Sequence, residues 1–192
     1  MDALEKLRRY LPAGYVEERK YSAKENILPS KFCGEGLCII SNGVAELCIK
    51  SKVSKRTLDI MLPGDIFGFM SDISLMKNFT VIALTSVSLF YVNMDNLKRL
   101  GNENPILVLD IFSLALSKQA YLYEVLATLR KPKAKDRIRS FLSLLAKIVE
   151  EKKTNLIIKR KQIAGITGLS YENVVRTMSR IQKQESRRVR LW

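Results

Sequence analysis

The chain of 192 residues contains no histidine. Imidazole is the side chain that most often serves as general base or metal ligand near neutral pH. Its absence excludes a Ser-His-Asp triad, a His-ligated zinc and a His-bound haem. Cysteine is scarce: Cys33, Cys38 and Cys48 are the full set. Their spacing matches no zinc or cluster pattern, and a free cysteine packs as a small apolar residue. An odd number of cysteines without a signal peptide fits a reducing cytoplasm. No apolar run reads as long enough to span a bilayer. The expectation is a cytoplasmic protein that is not an enzyme, with no catalytic group, metal, cofactor or membrane contact.

Positive charge, in contrast, is plentiful. The 33 Lys and Arg outnumber the 19 Asp and Glu, for a net charge of +14. Residues 131–192 hold 17 basic residues against five acidic, whereas residues 1–130 are nearly balanced, 16 against 14. A basic surface gathered in one segment suits phosphate contacts, because each neutralised phosphate releases counterions.

That segment contains residues 159–183, KRKQIAGITGLSYENVVRTMSRIQK. Its pattern predicts two short helices around a turn at Gly168. Ile163, Ala164 and Ile166 form the inner face of the first. Gly168 stands where a left-handed backbone is cheapest, and Ser170 is a candidate N-cap. Val174, Met178 and Ile181 are the inner face of the second helix. Tyr171, Glu172, Asn173, Arg176 and Arg180 face the other way. Glu accepts from base amino groups and Arg forks onto guanine, so this is the equipment of a DNA-reading helix-turn-helix.

Upstream, short β-rich runs are separated by turn residues. Candidates are 26–28, 37–41, 43–50, 56–62, 79–86 and 88–93, with a short helix at 95–100. Asn42-Gly43 between two such runs is a hairpin signal. Several strands at this spacing suggest a β-roll or barrel. From 104 to about 129 the pattern becomes one long helix with Pro105 in its first turn. Leu107, Ile111, Leu114, Tyr121 and Val125 form one apolar stripe. Leu109, Phe112, Leu116, Tyr123 and Leu126 form a second. A helix apolar on two sides needs cover on two sides, and the simplest second cover is the same helix of another copy. Pro132 ends it. A helix over 133–151 follows, with Ile138, Leu142, Leu145, Ile148 and Val149 inward.

This order of parts resembles the cyclic-AMP receptor / fumarate-nitrate regulator (Crp–Fnr) family of transcription regulators. The likeness rests on LCIISNG at 37–43, LPGDIFG at 62–68, AKDRIRSFLSLL at 134–145 and the helix-turn-helix at 160–180. It implies an α+β fold with three parts. Residues 1–103 would be a cyclic-nucleotide-binding-like β-roll (jelly roll). Residues 104–130 would be a dimerisation helix. Residues 131–192 would be a winged-helix DNA-binding domain with a short wing near Arg187, Arg188, Arg190 and Trp192. The motif Ser170-Tyr171-Glu172-Asn173-Val174-Val175-Arg176 implies base reading by Tyr171, Glu172 and Arg176. Phosphates would be touched by Arg160, Lys161, Ser170, Asn173 and Arg180.

One departure bears on ligand. Cyclic-AMP binders of the family carry Gly-Glu-Leu after this loop and an Arg that neutralises the cyclic phosphate. Here Phe69 and Met70 follow Gly68, and no Arg lies between Arg56 and Arg99. Lys77 offers a point charge without the fork. A buried phosphodiester without such a partner is costly, so cyclic-nucleotide dependence is not expected. The expectation is a homodimeric regulator whose partners are double-stranded DNA, a second copy and RNA polymerase. The alternative is a small-molecule or redox sensor. Its effector pocket would involve Phe67, Phe69, Met70 and Lys77, and its β-roll ligand would control DNA binding.

Overall fold

The computed structural model describes residues 14–27, 36–50, 55–68 and 78–188, with side chains to 182. The chain divides into two compact units: residues 1–55 with 59–121, and residues 56–58 with 122–192.

Seven strands build the first unit: β1 (Glu17–Tyr21), β2 (Gly36–Asn42), β3 (Ala45–Lys50), β4 (Lys55–Met61), β5 (Ile66–Gly68), β6 (Phe79–Ala83) and β7 (Val87–Asn93). They form a four-stranded sheet in the order β1-β7-β2-β5 and a three-stranded sheet in the order β4-β3-β6. The recorded pairings β1–β7, β2–β7, β2–β5 and β3–β6 are antiparallel. Ile27, Cys38, Ile40, Ala45, Met61, Val81, Ala83, Val87 and Leu89, from both sheets, close into one apolar core. Of the expected strand at 26–28, Asn26 forms an isolated bridge to Ile82, and residue 28 lies outside the described residues.

Asn42-Gly43 does not close a hairpin. β2 pairs with β7 and β5, whereas β3 pairs with β6, so the turn carries the chain from one sheet to the other. Gly43 has φ +86°, and a Cβ there would collide with the Ser86 carbonyl oxygen. The glycine thus answers a close backbone approach, the second common reason for one at a strand end.

Helix α1 (Met94–Glu103) starts at Asn93, whose side chain accepts the Asn96 N–H. Helix α2 (Pro105–Leu129) follows, and Asn104 Oδ1 accepts the Leu107 N–H at 3.2 Å. Leu100, Leu107 and Ile111 pack with Leu37 and Ile39 of β2 in a second cluster. The two apolar stripes of α2 differ in cover. Leu107, Ile111 and Val125 are buried, while Leu109, Phe112, Leu116, Tyr123 and Leu126 are 49–65 % exposed. By length and composition α2 could cross a bilayer, contrary to the expectation from the sequence. Its inner face is instead seated on β2, and it carries Lys118 paired to two aspartates of the sheet unit.

The second unit holds α3 (Ala134–Glu151), α4 (Arg160–Thr167) and α5 (Tyr171–Arg188). Ile138, Phe141 and Leu145 of α3 are buried with Ile163, Ala164 and Ile166 of α4 and Val174 and Ile181 of α5. Leu142, Ile148 and Val149, expected inward, are only half-buried. Phe141 supplies the largest buried side chain in their stead.

Candidate nucleic-acid interface

Helix α4 begins where the Lys159 N–H donates to Gln162 Oε1 at 2.8 Å, so Gln162 caps the helix from within its first turn. It ends at Gly168, φ +67°, ψ +20°, whose N–H donates to the Ala164 oxygen. This left-handed cap is the turn the sequence predicts. Ser170 Oγ then accepts the Asn173 N–H at 3.2 Å and starts α5. Val174 and Ile181 hold α5 down, with Thr177 buried and Met178 half-buried between them.

Fixing the inner face fixes the outer one. Tyr171, Glu172, Arg176 and Arg180 are all exposed on α5. Arg176 lies one turn beyond Glu172 on the same side, yet no ion pair joins them among the described residues. Tyr171 is 51 % exposed. Asn173 is placed differently: it is half-buried, and its Oδ1 accepts the Thr177 hydroxyl at 3.0 Å. Arg160 and Lys161 are exposed in the first turn of α4. Such a face offers an acceptor, guanidinium forks and point charges together, which is what base edges flanked by phosphates require.

Arg137 of α3 is a link in this unit that sequence patterning does not single out. Its Nη1 donates to the Thr167 oxygen at 3.1 Å, and its Nε and Nη2 donate to the Lys131 oxygen. It ties the helix-turn-helix to the start of α3. Its partner lies 30 positions away, so periodicity could not reveal it.

The residues expected around an effector pocket are not brought together by what is described. Phe67 of β5 is half-buried and packs against the inter-sheet core. Phe69, Met70 and Lys77 lie outside the described residues, as do Cys33 and residues 189–192. Cys38 and Cys48 are buried, and the described residues hold no cluster of metal-ligating type.

Comparison with known proteins agrees with this architecture. The family model for the cyclic nucleotide-binding domain matches residues 18–104. The nitrogen fixation regulation protein FixK of Azorhizobium caulinodans is 26 % identical over 157 residues, 78 % of this chain and 62 % of its own length. This chain therefore spans less than two thirds of that relative. A cyclic nucleotide-binding domain containing protein from Listeria monocytogenes superposes with TM-score 0.75 at 18 % identity, over 95 % of this chain and 89 % of that one. FixK2 from Bradyrhizobium japonicum gives TM-score 0.65 at 18 % identity, over 88 % and 86 %. The class is an α+β protein in which a cyclic-nucleotide-binding-type β domain precedes a helical unit. Within that class, residues 18–104 match the cyclic nucleotide-binding domain, and the chain is similar to regulators of the Crp–Fnr family.

Proposed function

We propose that this protein is a cytoplasmic, homodimeric, sequence-specific DNA-binding regulator of transcription that works without a cyclic nucleotide. The observation that carries the reading is the outer face of α5. Tyr171, Glu172, Arg176 and Arg180 stand exposed there, above a turn fixed by Gly168 and Ser170. Tyr171, Glu172 and Arg176 would read base edges. Arg160, Lys161, Ser170 and Arg180 would hold phosphates, and Asn173 would do so through the part of its amide that Thr177 leaves open.

Dimerisation is supported by the open stripe of α2. Leu109, Phe112, Leu116, Gln119, Tyr123 and Leu126 follow one another at spacings of three and four, the period of a coiled-coil seam. Gln119 is its one polar position. Two recognition helices so paired would enter major grooves about 34–36 Å apart on a near-palindrome.

Independence from cyclic nucleotides is supported by charge. The described groups at the Leu62–Gly68 segment are Asp59, Asp65 and Lys118, and their sum is negative. A phosphodiester asks for the opposite sign. The test is selection of purified protein against random duplex DNA with no effector added. Enrichment of a two-fold site with a G·C-containing core is expected. Unselective, salt-sensitive retention alone would sink the reading.

A further inference from the structure

Lys118 sits in the middle of the covered face of α2, between Leu114 and Tyr121. Its Nζ lies 2.5 Å from Asp59 Oδ2 on β4 and 2.7 Å from Asp65 Oδ2 in the turn before β5. None of the three side chains is more than 11 % exposed. Asp65 is itself pinned by the backbone. Its Oδ2 accepts the Leu62 N–H at 3.0 Å, and its main-chain oxygen accepts the Ile40 N–H at 3.0 Å. The Tyr121 ring lies 4.7 Å from the same ammonium, and its hydroxyl is hydrogen-bonded to Asp59. Two buried carboxylates repel, and they persist side by side only with a cation or a proton between them. Here a tethered cation fills that place.

The position of Lys118 on the helix gives this a consequence. At 3.6 residues per turn it points about 130° away from the middle of the open seam at Leu109, Phe112, Leu116, Tyr123 and Leu126. A pin at Lys118 therefore sets which residues of α2 face outward.

We propose that Asp59 and Asp65 form an alkylammonium site which Lys118 fills from within the chain. Lys118 acts as a positioning residue that fixes the rotation of α2 and holds its seam ready for a second copy with no effector bound. This rests on the reading of the protein as a dimeric DNA-binding regulator. The site takes primary alkylammonium ions and excludes anions and neutral alcohols of the same length. Lys118→Ala removes the atoms of n-propylammonium beyond Cβ and leaves the two carboxylates facing a vacancy.

The test measures operator affinity, on the duplex selected above, and dimer affinity by sedimentation. Wild type, Lys118→Ala and Lys118→Met are compared, with circular dichroism as the check on folding. The expected result is a loss of tenfold or more in both affinities for each variant. Millimolar n-propylammonium should restore Lys118→Ala, whereas n-propanol at matched ionic strength should not. Wild-type affinities in either folded variant would overturn the proposal. So would a loss that neither additive, or both, repaired. Collapse of both variants would make the triad a stability element and overturn the positioning role. If wild-type protein selects no DNA, the regulator reading fails by itself, and the same criteria applied to dimer affinity decide the inference.

Discussion

Arg137 on α3 donates to the main-chain oxygen of Thr167, the last residue of α4, at 3.1 Å. Carbonyls at a helix end lack intrahelical partners, and a cation there also meets the negative end of the helix dipole. Arg137 thus finishes the first helix of the helix-turn-helix pair. Arg137→Met should destabilise the second unit by about 1.5–3 kcal/mol, the range for a hydrogen bond to a charged group. Urea unfolding measures this. Operator affinity should fall with it, with no change in the preferred base sequence. A changed preference would make Arg137 a base contact.

Two glycines should respond differently to alanine. At Gly168 an added Cβ meets nothing within 4 Å, so only the left-handed backbone resists. Gly168→Ala should cost about 1–2 kcal/mol, and Gly168→Asn less. At Gly43 the Cβ would meet the Ser86 carbonyl oxygen as well as a positive φ. Gly43→Ala should therefore cost clearly more than Gly168→Ala in the same thermal unfolding assay. Equal losses would mean that the β2–β3 crossing can give way.

The parts legible in the sequence are those set by local chemistry. Gly168 and Ser170 mark the turn because their backbone and hydroxyl requirements are satisfied within three residues. The two stripes of α2 are legible because a helix repeats its faces. β1 and β5 are not, and both are edge strands of the four-stranded sheet. Edge strands tolerate charge, and EERKY shows little but charge. Asn42-Gly43 misleads because a hairpin and a crossing between sheets ask for the same residues. Asp59, Asp65 and Lys118 lie more than 50 positions apart across the ion pairs. Their meeting depends on tertiary packing, and only a gap at position 118 in the apolar stripe hints at it.

The seam on α2 predicts oligomeric state. Leu116 is 49 % exposed at its centre. Leu116→Glu would place a carboxylate in each copy at an apolar contact, costing the dimer about 3 kcal/mol or more, roughly two orders of magnitude in Kd. Sedimentation should show a monomer with unchanged circular dichroism. Gln119→Leu should tighten association, since a polar residue in a seam fixes register at a cost in stability. A dimer indifferent to both changes would have its interface elsewhere.

The triad predicts a pH profile. Burial alone would lower the Lys118 ammonium, but the two carboxylates outweigh it and hold its pKa above the ordinary 10.5. Stability from this group is fully present below 10.5 and is lost as pH rises through the higher folded value. Burial raises the Asp59 carboxyl above its ordinary 3.8, and Lys118 offsets only part of this. Its native state keeps a proton that the unfolded chain has released, so protonation at low pH favours folding. In Lys118→Met the two carboxylates stand uncompensated and gain most from that proton. The stability gap between wild type and Lys118→Met should therefore be widest near neutrality, about 3–5 kcal/mol. It should narrow on the acid side and again above pH 10.5. A gap constant from pH 4 to pH 11 would mean that packing of the lysine stem, not its charge, holds α2.

Base reading and phosphate holding separate by their dependence on salt and sequence. Arg176 is exposed on α5, one turn past Glu172, where a guanidinium can fork onto guanine. Arg176→Ala should cost about 1–3 kcal/mol on the selected site and relax the choice at one base pair in each half. On random duplex it should cost far less. Lys161, exposed in the first turn of α4, carries a point charge suited to phosphate. Lys161→Ala should weaken binding to every sequence alike. The slope of log affinity against log salt should fall by about one for each phosphate that a copy no longer neutralises. Titrations at three salt concentrations, on selected and random duplexes, read both quantities together. If Arg176→Ala changed the salt slope and left base preference intact, Arg176 would join the phosphate contacts. Specificity would then fall to Glu172 and Tyr171, whose phenol reaches base edges as donor or acceptor.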